Sequence, residues 1–168
     1  MNISDVIPEE MQRLEQWVAW RSVSRNGRPA KPPIDPHTER FARVNDRATW
    51  STLEHAIATA MCIGGGIGFV FTEDDDFWGV DLDGCRNPET GTIDDWASDI
   101  LSGFDSEYIE VSPTGTGVHI IGTGTPPYVK DTSPAGERYG KRCGVEQYDA
   151  GRYFTLTGNQ IKNAVAAQ

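Results

Sequence analysis

Apolar and polar positions along this chain switch between a period near 3.6 and a period of two, and the switches delimit its elements. Ile7 to Leu14 predicts a short helix with Pro8 in its first turn, and Trp17-Val18-Ala19-Trp20 predicts a strand. Asn26-Gly27 signals a turn, while Pro29, Pro32, Pro33 and Pro36 predict a stiff, extended loop around Lys31. Trp50, Leu53, Ile57, Ala60 and Met61 recur at helical spacing, so a helix is expected over 50–62, capped by Asp46 or Thr49 and closed by Gly64-Gly65-Gly66. Strands are expected at 67–71 and 78–83, joined by the acidic Thr72 to Asp76 segment as a hairpin loop. A helix over 93–103 carries Ile93, Trp96, Ile100 and Leu101 on one side. Strands at 108–111 and 118–121 then flank Ser112-Pro113-Thr114-Gly115-Thr116-Gly117. Residues 122–144 read as one long Gly- and Pro-rich loop, and 145–148 with 153–157 as a terminal pair of strands around Asp149 to Arg152. There are no internal repeats. This mixture of hairpins and helices predicts an α+β fold rather than a doubly wound parallel sheet.

The strand at 78–83, Trp-Gly-Val-Asp-Leu-Asp, ends by presenting two carboxylates two positions apart. Side chains alternate faces, so Asp81 and Asp83 share one face while Val80 and Leu82 point into the core. Their Cα atoms are expected about 7 Å apart. That separation suits two carboxylates gripping divalent ions, which in two-metal sites lie about 3.5–4 Å from each other. Like charges held side by side are costly without a cation between them, which makes this pair the first candidate metal site.

Composition narrows the classes. At 168 residues the chain is long enough for one domain with a real core, or for two small modules. No apolar stretch approaches the ~20 residues of a membrane span, and Met1 to Asp5 lacks the features of a signal peptide, so a cytoplasmic location is expected. Cys62, Cys85 and Cys143 are odd in number and lack C-x-x-C spacing, which argues against a disulfide framework or a zinc knuckle and predicts free, partly buried thiols. The net charge of −10 argues against nucleic acid, yet its distribution does not. Seven of the 15 basic residues lie in 21–47 and five in 130–152, whereas 48–127 holds only Arg86 against 14 acidic residues. An acidic centre between basic flanks suits a cation site beside polyphosphate, and suits ordinary surface charge equally.

Three segments in order carry the chemistry. After the Asp-Leu-Asp strand comes Ser112 to His119, a turn whose Gly115 and Gly117 let backbone N–H groups approach an anion, with Ser112 and His119 adding donors. It is not a Walker loop, because no Gly-Lys-Ser/Thr follows. The third segment is Val145-Glu146-Gln147-Tyr148, an acidic residue in a strand-like run. This order resembles the archaeo-eukaryotic primase superfamily, and most of all the bifunctional primase-polymerase domains of phages and plasmids. Gln16-Trp17-Val18, Lys31-Pro32-Pro33-Ile34-Asp35-Pro36, Gly68-Phe69-Val70-Phe71 and Gly151 to Gly158 are similar to that subgroup as well.

The resemblance implies a single catalytic core over 1–168, an N-terminal α/β module packed on an RRM-like module with the active site between them. It implies template-directed nucleotidyl transfer with Mg²⁺ or Mn²⁺, that is, DNA primase and polymerase activity in replication. By it, Asp81, Asp83 and Glu146 hold two metal ions and act in catalysis, and Ser112 and His119 bind the incoming triphosphate. The implied partners are nucleoside triphosphates, a single-stranded or primed DNA template and a helicase domain or protein. Such domains usually form the front end of a longer primase-helicase.

Blander readings stand beside these. A D-x-D pair is most often a solvated strand end, Glu146 alone would be a surface residue, and Asp149 competes with it although a turn with Gly151 suits Asp149 better. Lys31 and Arg152 are candidates for triphosphate or template-backbone contact, against plain surface cations. Arg138, Lys141 and Arg142 either touch nucleic acid or solvate a loop. His37 and His55 have no such context. Glu73 to Asp76 lacks the register of an EF-hand. The alternatives to a polymerase are a metal-dependent nuclease and a catalytically silent nucleotide- or DNA-binding replication module.

Overall fold

A computed structural model describes residues 3–105 and 107–161. The chain forms two compact units, one running to Glu73 and joined by Ala150–Leu156, the other comprising Asp74–Asp149 and the chain from Thr157 onward. Helices and mostly antiparallel sheets mix in both, as α+β requires. No helix among the described residues is long and apolar enough to cross a membrane.

The first unit contains helix α1 (Glu9–Gln12), strands β1 (Trp17–Trp20), β2 (Val23–Arg25), β3 (Arg28–Ala30) and β4 (Pro33–Ile34), helix α2 (Leu53–Ile63), strand β5 (Gly66–Phe71) and, arriving late in the chain, β12 (Arg152–Leu156). Its sheet runs β12-β5-β1-β4, all antiparallel. Trp17, Phe69, Phe71 and Phe154 stack edge to face through its centre with centroids 5.0–5.6 Å apart. Asn26 and Gly27, at φ 52° and 75°, make the turn between β2 and β3, where two positive φ values match the twist of a hairpin. Helix α2 begins later than its periodicity predicts. Trp50 lies outside it, buried, its indole N–H donating to Arg43 O at 2.7 Å, and Asp46 caps a separate 3₁₀ turn over Arg47–Thr49. The helix cap is Thr52, which accepts from His55 N–H. The buried stripe is Leu53, Ala56 and Ala60, whereas Met61 is 79% exposed.

The second unit contains β6 (Phe77–Asp83), α3 (Asp95–Leu101), β7 (Tyr108–Val111), β8 (Val118–Thr123), β9 (Glu137–Arg138), β10 (Lys141–Arg142) and β11 (Gly144–Tyr148). Its four-stranded sheet runs β11-β6-β8-β7, again antiparallel. Period-two alternation sorts the faces. Trp78, Val80, Leu82, Ile109, Val118, Ile120 and Val145 pack with Ala97 and Leu101 of α3 and with Phe104. The residues between them, Asp81, Asp83, Glu110, His119 and Glu146, share the opposite face.

Two expected hairpins are absent. β5 pairs with β1 and β12, and β6 with β8 and β11, so the 72–76 segment leaves one sheet and enters another instead of joining a hairpin. The terminal strands β11 and β12 part company in the same way. The 122–144 stretch is not one loop either, since β9 and β10 pair within it. All three cysteines are free, Cys62 exposed and the others buried.

Candidate active site

Four strands bring four polar residues into one row. In the register of the second sheet Glu146 on β11 stands opposite Asp81 on β6, Asp81 opposite His119 on β8, and His119 opposite Glu110 on β7. Directly opposed residues share a face, so the row crosses the sheet at right angles to its strands, with Asp83 one step further along β6. The sequence-derived set Asp81, Asp83, His119 and Glu146 is therefore gathered on one surface. Ser112, Gly115 and Gly117 adjoin it in the turn between β7 and β8. Lys31 and Arg152 belong to the first unit, where Lys31 Nζ lies 5.7 Å from the Trp20 ring and Arg152 opens β12.

Electrostatics single out Asp81. Its side chain is 22% exposed, and its Oδ1, closed off from solvent, has no hydrogen-bond partner. Burial is the main reason its pKa is pushed up to about 6. The nearby imidazole of His119 works the other way, and the charges of Asp83 and Glu146 add to the rise. Burial also opposes charge on His119, but the hydrogen bond with Glu110 and the charges of Asp81, Glu110 and Asp83 outweigh it, so that pKa lies above the ordinary histidine value. His119 Nε2 is 3.8 Å from Asp81 Oδ1, and Nδ1 is 3.2 Å from Glu110 Oε1. Asp83 Oδ1 is 3.3 Å from Lys141 Nζ, and the Tyr148 hydroxyl donates to Glu146. These two pairings give the outer carboxylates partners of their own, which Asp81 Oδ1 lacks. Among the described residues, no three His, Cys, Asp or Glu side chains converge closely enough to hold one ion as they stand.

The turn is tightly built. Ser112 Oγ accepts from Gly117 N–H at 3.1 Å, Ser112 O accepts from Gly115 N–H at 2.9 Å, and the hydroxyls of Ser112, Thr114 and Thr116 form a chain at 3.1 and 2.9 Å. Gly115 sits at φ +76°, which disfavours a side chain. At Gly117 the constraint is space: a Cβ there would lie 2.7 Å from Leu82 O, so the turn abuts the end of β6 beside Asp83.

Other candidates are placed elsewhere. Asp149 lies beyond β11. Arg138 donates to Asp94 Oδ2 at 2.7 Å, and the Tyr139 hydroxyl donates to Asp94 Oδ1 at 2.8 Å, so two groups of this basic segment bind an acid of their own unit. His37 and His55 contact each other and the chain around Trp50 and Ser51. A cleft of about 680 Å³ between α3 and residues 127–132 includes none of the row. Sequence reasoning missed Glu110, fully buried behind His119. The signal was available, because a tight turn over 112–117 pairs Val111 with Val118 and so Glu110 with His119.

No protein-family model matches the chain. The chain is 32% identical over 150 residues, 88% of its length, to the DNA primase-polymerase of Nitratiruptor phage NrS-1. The matched stretch amounts to 20% of that protein, so the chain spans about a fifth of its relative's length. Over most of its residues this chain is related to a phage primase-polymerase.

Proposed function

We propose that this chain is the nucleotidyltransferase core of a primase-polymerase of the archaeo-eukaryotic primase superfamily, adding nucleotides to a 3′-hydroxyl on a DNA template. The observation that carries the reading is the row Glu146–Asp81–His119, with Asp83 beside it, on one sheet face of a chain related to a primase-polymerase. The sheet order β11-β6-β8-β7, with α3 between its first two strands in sequence, supports an RRM-like module.

The donor chemistry fits a hard divalent cation. Asp81 and Asp83 offer carboxylate oxygens on one face, Asp81 Oδ1 is buried without a partner, and the mutual repulsion of these acids is what a cation relieves. Mg²⁺ commonly takes only one or two carboxylates and completes its shell with substrate phosphates and water, so a preassembled cage of three ligands is not required. Asp81 and Asp83, joined by Glu146, would hold Mg²⁺ or Mn²⁺. When bound, the ions supply Lewis-acid stabilisation of charge at the α-phosphate and lower the pKa of the attacking hydroxyl. The chain itself orients and binds. His119 presents Nε2 towards the triphosphate, and the Ser112–Gly117 turn beside it is a further proposed contact, although the Gly115 and Gly117 N–H groups are already bonded within the turn. Lys31 and Arg152 are proposed phosphate contacts on the resemblance alone.

The test is extension of a labelled primer with Mg²⁺ or Mn²⁺ and all eight nucleotides, beside the double variant Asp81→Ala/Asp83→Ala, with circular dichroism to check folding. A loss of at least about 10²-fold is expected, the size seen when a transition-state electrostatic contact is removed. Extension that survives both substitutions refutes the assignment. Strand cleavage without nucleotides, lost in the same variant, would instead identify a nuclease.

A further inference from the structure

Glu110 is a fully buried acid with three donors and one imidazole nitrogen around it. Thr157 N–H lies 3.1 Å from Oε1 and 3.0 Å from Oε2, Gly158 N–H lies 2.9 Å from Oε2, and the Tyr108 hydroxyl lies 2.8 Å from Oε2. The fourth neighbour is His119 Nδ1, 3.2 Å from Oε1. Backbone N–H groups only donate, and a carboxylate ringed by three donors acts as an acceptor. Nδ1 of His119 must then carry a hydrogen. The ring nitrogen left facing Asp81 is Nε2.

We propose that Glu110 is the positioning residue of this site: by accepting from Nδ1–H it fixes the plane of His119 and keeps a hydrogen on Nδ1, so that Nε2, a donor to phosphate when it takes up the second proton, is the nitrogen offered on the acidic face. A ring held at one nitrogen by a buried carboxylate cannot swing its other nitrogen away from a bound phosphate, and such supporting partners commonly carry a 10- to 100-fold effect where they have been removed from metal sites. The Thr157 and Gly158 contacts make the clamp rigid, because the carboxylate is itself held from the other side. The ligand part of this inference rests on the proposed function. The tautomer does not.

The first measurement reads the unaltered protein. In a two-bond ¹H–¹⁵N correlation spectrum of ¹⁵N-labelled protein, His119 is identified by its loss in His119→Gln. Its Nδ1 is expected to carry a hydrogen. His37 is a built-in contrast, since its Nε2 faces Trp50 O at 3.0 Å and must carry the hydrogen there. A bare Nδ1 on His119 overturns the proposal. The second measurement is calorimetric binding of a nucleoside triphosphate with Mg²⁺ to the wild type, Glu110→Gln, His119→Gln and the double variant. Glu110→Gln should weaken binding about tenfold when His119 is present and less than twofold when it is Gln. Equal losses in both backgrounds would mean that Glu110 only anchors the Thr157–Gly158 backbone, and would overturn the proposal. If Glu110→Gln does not fold, the tautomer decides. A wild type that binds no triphosphate defeats the proposed function, while the spectrum still judges Glu110.

Discussion

Replacing Asp81 by asparagine should make the metal-free protein more stable and catalytically dead. An acid whose pKa is raised on folding binds its proton more tightly in the folded state. Here the ordinary value of 3.8 rises to about 6, chiefly through burial. Between those values the folded chain carries more protons than the unfolded one, so stability falls as pH climbs through the window. Above about pH 6 the whole penalty applies, about 3 kcal/mol at ~1.4 kcal/mol for each tenfold change in proton affinity. The substitution also removes a charge that favours protonated His119, so the net gain expected at pH 7.5 is about 1–3 kcal/mol. For a chain of this size that corresponds to roughly 2–10 °C in Tm. The assay is thermal unfolding in EDTA at pH 7.5 and at pH 4.5, followed by circular dichroism. The gap between variant and wild type should shrink at the lower pH, where Asp81 in the folded protein is mostly protonated and resembles Asn. Added Mg²⁺ should narrow the gap at pH 7.5 by stabilising the wild type. A variant no more stable than the wild type in EDTA at pH 7.5 would show that Asp81 is not held at an energetic cost, and the reasoning for a cation would lose its electrostatic basis.

Two further outcomes test the fold around the site. Cys62 is the exposed thiol, whereas burial first and the charge of Asp81 second push Cys85 up to about 12, leaving about one thiolate in 10⁴ at pH 8. Native alkylation followed by mass spectrometry should therefore modify Cys62 alone at early times, and rapid labelling of Cys85 would contradict its placement. Gly117→Ala should cost about 1–3 kcal/mol in urea unfolding because the new methyl meets Leu82 O, and more than Gly115→Ala, whose nearest neighbour, Pro88 Cβ, is an ordinary 3.6 Å away and whose cost of about 1–2 kcal/mol is conformational. The reverse order would refute the close approach of the turn to β6.

Much of the site was legible because period-two alternation is local. Once 78–83 is a strand, the common face of Asp81 and Asp83 follows, whereas alternation placed 145–148 as a strand and only the resemblance singled out Glu146 within it. What sequence could not supply was partnership. Thr72 to Asp76 has the composition of a hairpin loop, and only the pairing of β5 with β12 and of β6 with β11 shows that the chain changes sheets there. Trp50 fits the helical spacing of 50–62, yet its indole is drawn to Arg43 O and the helix starts beyond it. The basic residues of 130–152 read as a flank for polyphosphate. In the structure Arg138 and Lys141 reach Asp94 and Asp83 of their own unit.

The row itself breaks the rules that predicted the sheet. Directly opposed like charges destabilise a strand pair, and Glu146 stands opposite Asp81 with Asp83 two positions along. An apolar or uncharged residue at 81 would suit the sheet better, as the raised pKa of Asp81 records. Lys141 pairs with Asp83, and the His119 imidazole 3.8 Å away offsets the strain only in part, leaving Asp81 Oδ1 without a hydrogen bond. Glu110 shows that the same sheet can bury a carboxylate with full satisfaction, giving it two backbone N–H groups and a phenol. The difference between these two acids, both neighbours of one histidine, is that one is complete within the protein and the other is not. Local conflict of this kind, a charged oxygen left incomplete on a sheet face, is where a bound ligand has something to do.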